Sequence, residues 1–254
     1  MSGYNKILYS VEGGIARVTL NRPDKRNALD DEVINELTAA IDAAATDPEV
    51  RVVLLQGAGK DFCSGADLAG LQRTSQYSVD QILVGARNLV RLFTAMRSHP
   101  RPIIAAVRGR ALAGGCGLAT ATDIILASES ARFGYPEVNI GFIPAIVMAV
   151  LRRSVSEKRA FELITTGSVI TSAQALEFGL INRVFPDEGF EDGVRLYAEQ
   201  MAAKSASAVS LAKSLLYQMD GLSFEAAMEA GAQMNALARM TDDCRAGIER
   251  FLNK

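Results

Sequence analysis

Two short segments hold the residue types best suited to chemistry on a charged intermediate: Gly57-Ala58-Gly59-Lys60-Asp61-Phe62-Cys63-Ser64-Gly65-Ala66-Asp67 and Gly109-Arg110-Ala111-Leu112-Ala113-Gly114-Gly115-Cys116-Gly117. Small residues let a ligand approach the main chain closely, and they permit backbone angles that aim N–H groups outward. Each segment can therefore supply an amide that stabilises an anion. Other chemistries lack their residues. Gly59-Lys60 is followed by Asp61 rather than Ser or Thr and has no glycine at the required position before it, so it is no P-loop; nor does a Gly-x-Gly-x-x-Gly open a helix after the first strand. The chain has one histidine, His99, in a Ser-His-Pro-Arg-Pro run, and no Gly-x-Ser-x-Gly. Most Ser-His-Asp and histidine-metal schemes are thereby removed. His99 is expected at the surface or in a turn.

The elements that position these segments are legible as strand–helix repeats. Residues 6–21 read as a hairpin, with β-favouring runs at 7–11 and 16–20 joined through Glu12-Gly13-Gly14. Asp30 and Asp31 can cap a helix in which Val33, Ile34, Leu37, Ile41 and Ala44 recur at helical spacing, stopping at Asp47-Pro48. Residues 51–56 read as a buried strand, 57–70 as a glycine-punctuated loop, and 82–96 as a helix with a wide apolar face of Ile82, Leu83, Ala86, Leu89, Val90, Phe93 and Met96. A buried strand at 102–107 precedes a small-residue helix within 113–122, followed by short strands at 124–127 and 131–133. Beyond Pro144 the pattern turns helical, with a Thr171/Gln174 capping box, a stop at Gly179, an extended return over 180–185, and three helices over 190–203, 206–217 and 224–252. One α/β domain over residues 1–254 with a helical C-terminal extension is predicted.

Bulk properties agree. A chain of 254 residues with 49% hydrophobic and 22% charged residues can bury a sizeable core. With 27 Lys+Arg against 29 Asp+Glu, no basic field favours nucleic acid or an anionic membrane, so an anionic ligand has to be held locally. Three cysteines and no secretory apolar region after Met1 point to a reducing, cytoplasmic setting without disulfides. The longest apolar stretches fall short of the roughly 20 residues that span a bilayer.

Taken in order, the motifs resemble the crotonase (enoyl-CoA hydratase/isomerase) superfamily. The resemblance runs from Leu20-Asn21-Arg22-Pro23-Asp24-Lys25-Arg26-Asn27-Ala28-Leu29 through Phe62-Cys63-Ser64-Gly65-Ala66-Asp67-Leu68 and residues 102–144 to 171–184, which covers most of the chain. It implies a ClpP/crotonase-like spiral of ββα repeats over about residues 1–190, with a helical trimerisation region over 191–254 and a trimeric or hexameric assembly. It implies an acyl-CoA thioester substrate, drawn from fatty acid and lipid metabolism, whose carbonyl oxygen accepts hydrogen bonds from the amides of Ala66 and Gly114. Such preorganised donors stabilise an enolate-like oxygen without a dedicated cation. Coenzyme A, as part of the substrate, falls to Lys25, Arg26, Ala28, Ala66, Asp67, Leu68 and Ala69, with Arg26 stacking on adenine and Lys25 or Arg26 pairing with phosphate. No metal and no separate cofactor is implied.

Hydratases of this superfamily commonly carry two glutamates, and this chain resembles them at only one. Phe133-Gly134-Tyr135-Pro136-Glu137 keeps the acid, whereas Ala113-Gly114-Gly115-Cys116-Gly117-Leu118 has Gly117 at the other position. The implied catalytic residue is Glu137, with Tyr135 or Asn139 sharing its face if the segment is extended. Three activities follow: hydration of a 2-enoyl-CoA, with a similarity to the methylglutaconyl-CoA hydratase-like subgroup over residues 137–145; Δ3,Δ2-isomerisation, which needs a single base; and a non-catalytic acyl-CoA-binding or RNA-binding role. Hydration is the leading expectation. Cys63 and Cys116 read as small core filler, and Asp61, Asp67 and Asp123 as loop ties.

Overall fold

The N-terminal hairpin forms as read: β1 (Ile7–Glu12) pairs antiparallel with β2 (Ile15–Leu20), turning through Gly13 and Gly14, both at positive φ. The computed structural model describes residues 3–67, 70, 72 and 76–253. Behind β2, three strands continue in parallel: β3 (Val52–Gly57), β4 (Ile103–Val107) and β6 (Ile124–Ser128); β9 (Arg183–Phe185) closes the edge. Central parallel strands are covered on both faces, which is why Val52–Leu55 and Ile103–Val107 are unbroken apolar runs rather than alternations. One face packs on α1 (Asp31–Thr46) and the last turns of α2 (Val79–Ser98); the other packs on Phe190, Val194 and Ala198 of α7 (Phe190–Ala202).

A second, smaller sheet of β5 (Arg110–Leu112), β7 (Arg132–Gly134) and β8 (Val169–Thr171) lies beside the first. The chain alternates between the two. β4 leads into β5 and β6 into β7, while β3 leads to Cys63, which bridges Ala111 in parallel; β2 leads to Leu29, which bridges Ala66. This is the spiral of strand–strand–helix repeats. Its seam brings the glycine-rich segment after β3 beside the one after β5.

Between β5 and β9 the helices are short: α3 (Gly114–Thr120), α4 (Met148–Ser154), α5 (Glu157–Thr166) and α6 (Ser172–Glu177). The C-terminal region consists of α8 (Ala206–Gln218), α9 (Phe224–Met240) and α10 (Asp242–Leu252). Four readings are corrected. The final helix is broken, because Thr241 leaves the helical region and its side chain caps α10 by accepting from the Cys244 amide. The wide apolar face of α2 is not buried in this chain: Leu92, Phe93 and Met96 are, whereas Ile82, Leu83 and Val90 are exposed. Residues 136–140 form a 3₁₀ turn rather than an extended segment, since Pro136 starts a helical turn readily. His99 stands at the turn that ends α2, as one half of its reading had it, but is buried rather than at the surface, with Nδ1 locked against the Arg101 backbone.

Candidate active site

Ala66 and Gly114 meet across the seam. A Cβ placed on Gly114 would lie 3.9 Å from the Ala66 nitrogen, and one placed on Gly65 would lie 3.2 Å from the Gly114 nitrogen. The parallel bridge fixes the direction of the Ala66 amide: Leu29 N donates to Gly65 O and Asp67 N donates to Leu29 O, so the N–H between them points away from Leu29. Gly114 opens α3, where the first amides have no intrahelical acceptor. Neither N–H has an acceptor among the described residues. Two unpaired donors thus lie close together across the seam, as a pair that stabilises an oxyanion would have to.

The approach is bought with backbone strain. Gly65 has φ 93°, and an added Cβ would fall 2.7 Å from Ala113 Cβ, so no side chain fits there. Ala113 itself sits at φ 51°, ψ −130°, a region sparsely populated by residues with a Cβ, and this turn sets the orientation of the Gly114 amide. Such a conformation costs about 1–3 kcal/mol.

Glu137 lies in the 3₁₀ turn, 9% exposed, with no hydrogen-bond partner at Oε2. Burial raises its pKa above the ordinary 4.5, and a backbone hydrogen bond offsets this in part. A carboxyl with one oxygen left unpartnered and a raised pKa is the state expected of a group that exchanges protons. The extended geometry that would put Tyr135 and Asn139 on its face is absent, since the segment is a 3₁₀ turn. Tyr135 is fully buried and its hydroxyl is 2.9 Å from Thr120 Oγ1, which also reaches Cys116 O. Asn139 is exposed and lies against Gly167. Gly117 is buried in α3, one turn after Gly114.

The loop expected to carry coenzyme A adjoins the amides. Pro23–Lys25 forms a 3₁₀ turn that ends on Arg26 in the left-handed region at φ 50°, followed by Asn27 at φ 55°. Lys25 and Arg26 are exposed, Ala28 is buried, Ala66 is exposed, and Leu68 and Ala69 lie outside the described residues. Asp67 accepts from Arg22 Nη2 at 3.2 Å and from Gly70 N, and so ties the loop. Arg22 also donates to Ala28 O and pairs with Asp30, the N-cap of α1. Buried Asn27 accepts from Arg22 N and donates to Ala58 O and Asp61 O. Asp61 accepts from Arg110 N and Nε, while Asp123 binds Ile103 N, Lys213 and Tyr217. Both are structural ties, as read.

Cys63 and Cys116 are fully buried, and burial pushes their thiols up to about 12 and about 11. Neither is a ready nucleophile. Arg22, Asn27 and Ala113 were not singled out from sequence. The run Asn21-Arg22-Pro23 marked the place but not the roles, and nothing in an alanine's identity announces positive φ.

The enoyl-CoA hydratase/isomerase family model matches residues 10–254. A Thermus thermophilus protein provisionally named an enoyl-CoA hydratase is 39% identical over 96% of this chain and 96% of its own length. The 2,3-dehydroadipyl-CoA hydratase of Escherichia coli is 34% identical over 98% of this chain and 96% of its own. Among solved structures, an enoyl-CoA hydratase of Mycobacterium smegmatis superposes with a TM-score of 0.93 at 30% identity, covering 98% of this chain and 96% of that one. Spiral, seam and relatives agree: the chain belongs to the enoyl-CoA hydratase/isomerase family, with the crotonase fold.

Proposed function

We propose that the chain adds water across the double bond of a 2-enoyl-CoA thioester, with Glu137 as its acid/base and Ala66 and Gly114 as its oxyanion donors. The observation that carries this reading is the close approach of two unpaired amides across the seam, in a chain whose family motif keeps a buried carboxyl with Oε2 unpartnered. The thioester oxygen accepts from both amides, which draws electron density from C3. Glu137 takes a proton from water as its oxygen bonds to C3, the carbonyl oxygen becomes the enolate, and the proton passes from Glu137 to C2. Each proton is accounted for, and the reaction is redox-neutral, so it calls for no electron carrier. Relatives named crotonyl-CoA hydratase and 2,3-dehydroadipyl-CoA hydratase support hydration.

The absence of a second carboxylate at Gly117 supports one other reading, movement of a double bond from C3 to C2 by Glu137 alone. A single assay separates them. The chain is supplied with a trans-2-enoyl-CoA and, separately, a 3-enoyl-CoA, and products are weighed. A product heavier by one water from the 2-enoyl substrate is expected; conversion of only the 3-enoyl substrate, without gain of mass, would overturn hydration.

Exposed Lys25 and Arg26 fit the phosphates and adenine of coenzyme A. The C-terminal helices fit self-association into a trimer or hexamer: α9 and α10 bury no residue, and Phe224, Met240, Phe251 and Leu252 stand exposed. Among the described residues no helix is long and apolar enough to cross a membrane.

A further inference from the structure

Gly117 is not at positive φ, and it donates to Ala113 O and accepts from Ala121 N as any helical residue would. Backbone geometry therefore does not call for glycine, and a helical glycine is less stable than alanine. What calls for it is Val147. A Cβ on Gly117 would fall 2.0 Å from Val147 Cγ1 and 2.7 Å from Val147 Cβ, whereas one on Gly114 would meet nothing closer than 3.7 Å. Val147 is the N-cap of α4, 3% exposed, in ordinary helical geometry, and part of the core that includes Cys116, Leu118, Tyr135 and Leu151. The space beside Gly117 is occupied by an isopropyl group.

Resting on the hydratase reading above, we propose that Val147 fills the room a second carboxylate would need and sets specificity by walling the C3 end of the enoyl group. Gly114 and Gly117 are three residues apart and so share one face of α3. At about 1.5 Å per residue they are separated by roughly 4.5 Å along the axis. C3 of an enoyl thioester is two bonds beyond the carbonyl carbon whose oxygen the Gly114 amide takes. Val147, seated on Gly117, therefore lies alongside C2 and C3. Its methyls tolerate hydrogen or a small alkyl group at C3, limit added bulk there, and offer no hydrogen bond to a polar substituent. Water at C3 is then held by Glu137 without help from this side. A second acid cannot be regained by changing Gly117 alone.

The test compares the wild type with Gly117→Ala, Val147→Ala and the double variant. Thermal melts read the packing: Gly117→Ala should lower Tm by roughly 3–10 °C, the size expected of overpacking in a chain this long. In the Val147→Ala background the same change should cost less, because the 2.0 Å approach to Cγ1 is gone and only the 2.7 Å approach to Cβ remains. Kinetics read the specificity. The kcat/KM ratio of 3-methylcrotonyl-CoA to crotonyl-CoA should rise about tenfold or more in Val147→Ala, since one methyl group in an apolar pocket is worth roughly 10–200-fold. Additive melts would overturn the packing claim, and a ratio unchanged within about twofold would overturn the specificity claim. Failure of the wild type to hydrate either thioester would instead overturn the hydratase reading on which the specificity claim rests, while the melts still decide whether Val147 fills the space.

Discussion

Glu137 is held in a setting that penalises its charge. Its pKa is raised chiefly by burial, so the native state binds this proton more tightly than the unfolded chain does. Stability linked to this group is therefore intact below the unfolded value, falls as pH rises towards the folded one, and stays reduced above it. Glu137→Gln removes the penalty. Melting curves between pH 4 and pH 8 should move in the variant's favour as pH rises; a difference independent of pH would contradict the assignment. Catalysis carries the opposite sign, because the base form has to be ionised: kcat/KM should fall on the acid side at a pH above the ordinary 4.5.

At the scale of elements, catalytic geometry is set by turns rather than by side chains. Gly65→Ala forces a Cβ to 2.7 Å from Ala113 Cβ and 3.2 Å from Gly114 N, which displaces one of the proposed oxyanion donors or both. A loss of about 10²–10³ in kcat is expected, the usual cost of one donor, with circular dichroism showing the fold retained. Unchanged kcat would contradict the placement of the donors. This scale also shows what sequence could and could not disclose. The hairpin, α1 with its Asp30 cap, and the buried strands are written in periodicity and capping residues, and the structure has them. Glu137 and the amides of Ala66 and Gly114 were named through ordered motifs. The bridges Leu29–Ala66 and Cys63–Ala111 were not legible, because single parallel bridges join residues far apart in the chain and leave no local pattern. The break at Thr241 was missed because α9 and α10 share one apolar rhythm, and the 3₁₀ turn at Pro136 because short turns carry weak propensity. Val147 was hidden for a related reason: its relation to Gly117 is a packing fact.

Across the whole molecule, the C-terminal helices are secured to the spiral by a small polar network rather than by a large apolar face. Lys213 of α8 is buried, 2.7 Å from Asp123 at the head of β6, and its ammonium also donates to Met96 O and Arg101 O. Tyr217 donates to the other Asp123 oxygen, and Arg97 of α2 and Arg153 of α4 converge on Asp220. Breaking one partner of a buried pair leaves a stranded charge, so Lys213→Met should cost about 3–5 kcal/mol in denaturant unfolding, and adding Asp123→Asn should recover part of that. A loss below about 1 kcal/mol would place the pair among surface contacts of little weight. The loss should fall on the attachment of α8 to α10, leaving the seam at Gly65 and Gly114 as it is.

The central claim is that one carboxyl does the proton transfer while main-chain amides hold the thioester. Glu137→Gln tests it most directly when turnover of a 2-enoyl-CoA and equilibrium binding of an acyl-CoA are measured on the same preparation. The expected result is a loss of roughly 10²–10⁴ or more in kcat, with acyl-CoA affinity within about threefold of wild type. Retention of wild-type turnover in that variant would contradict the account.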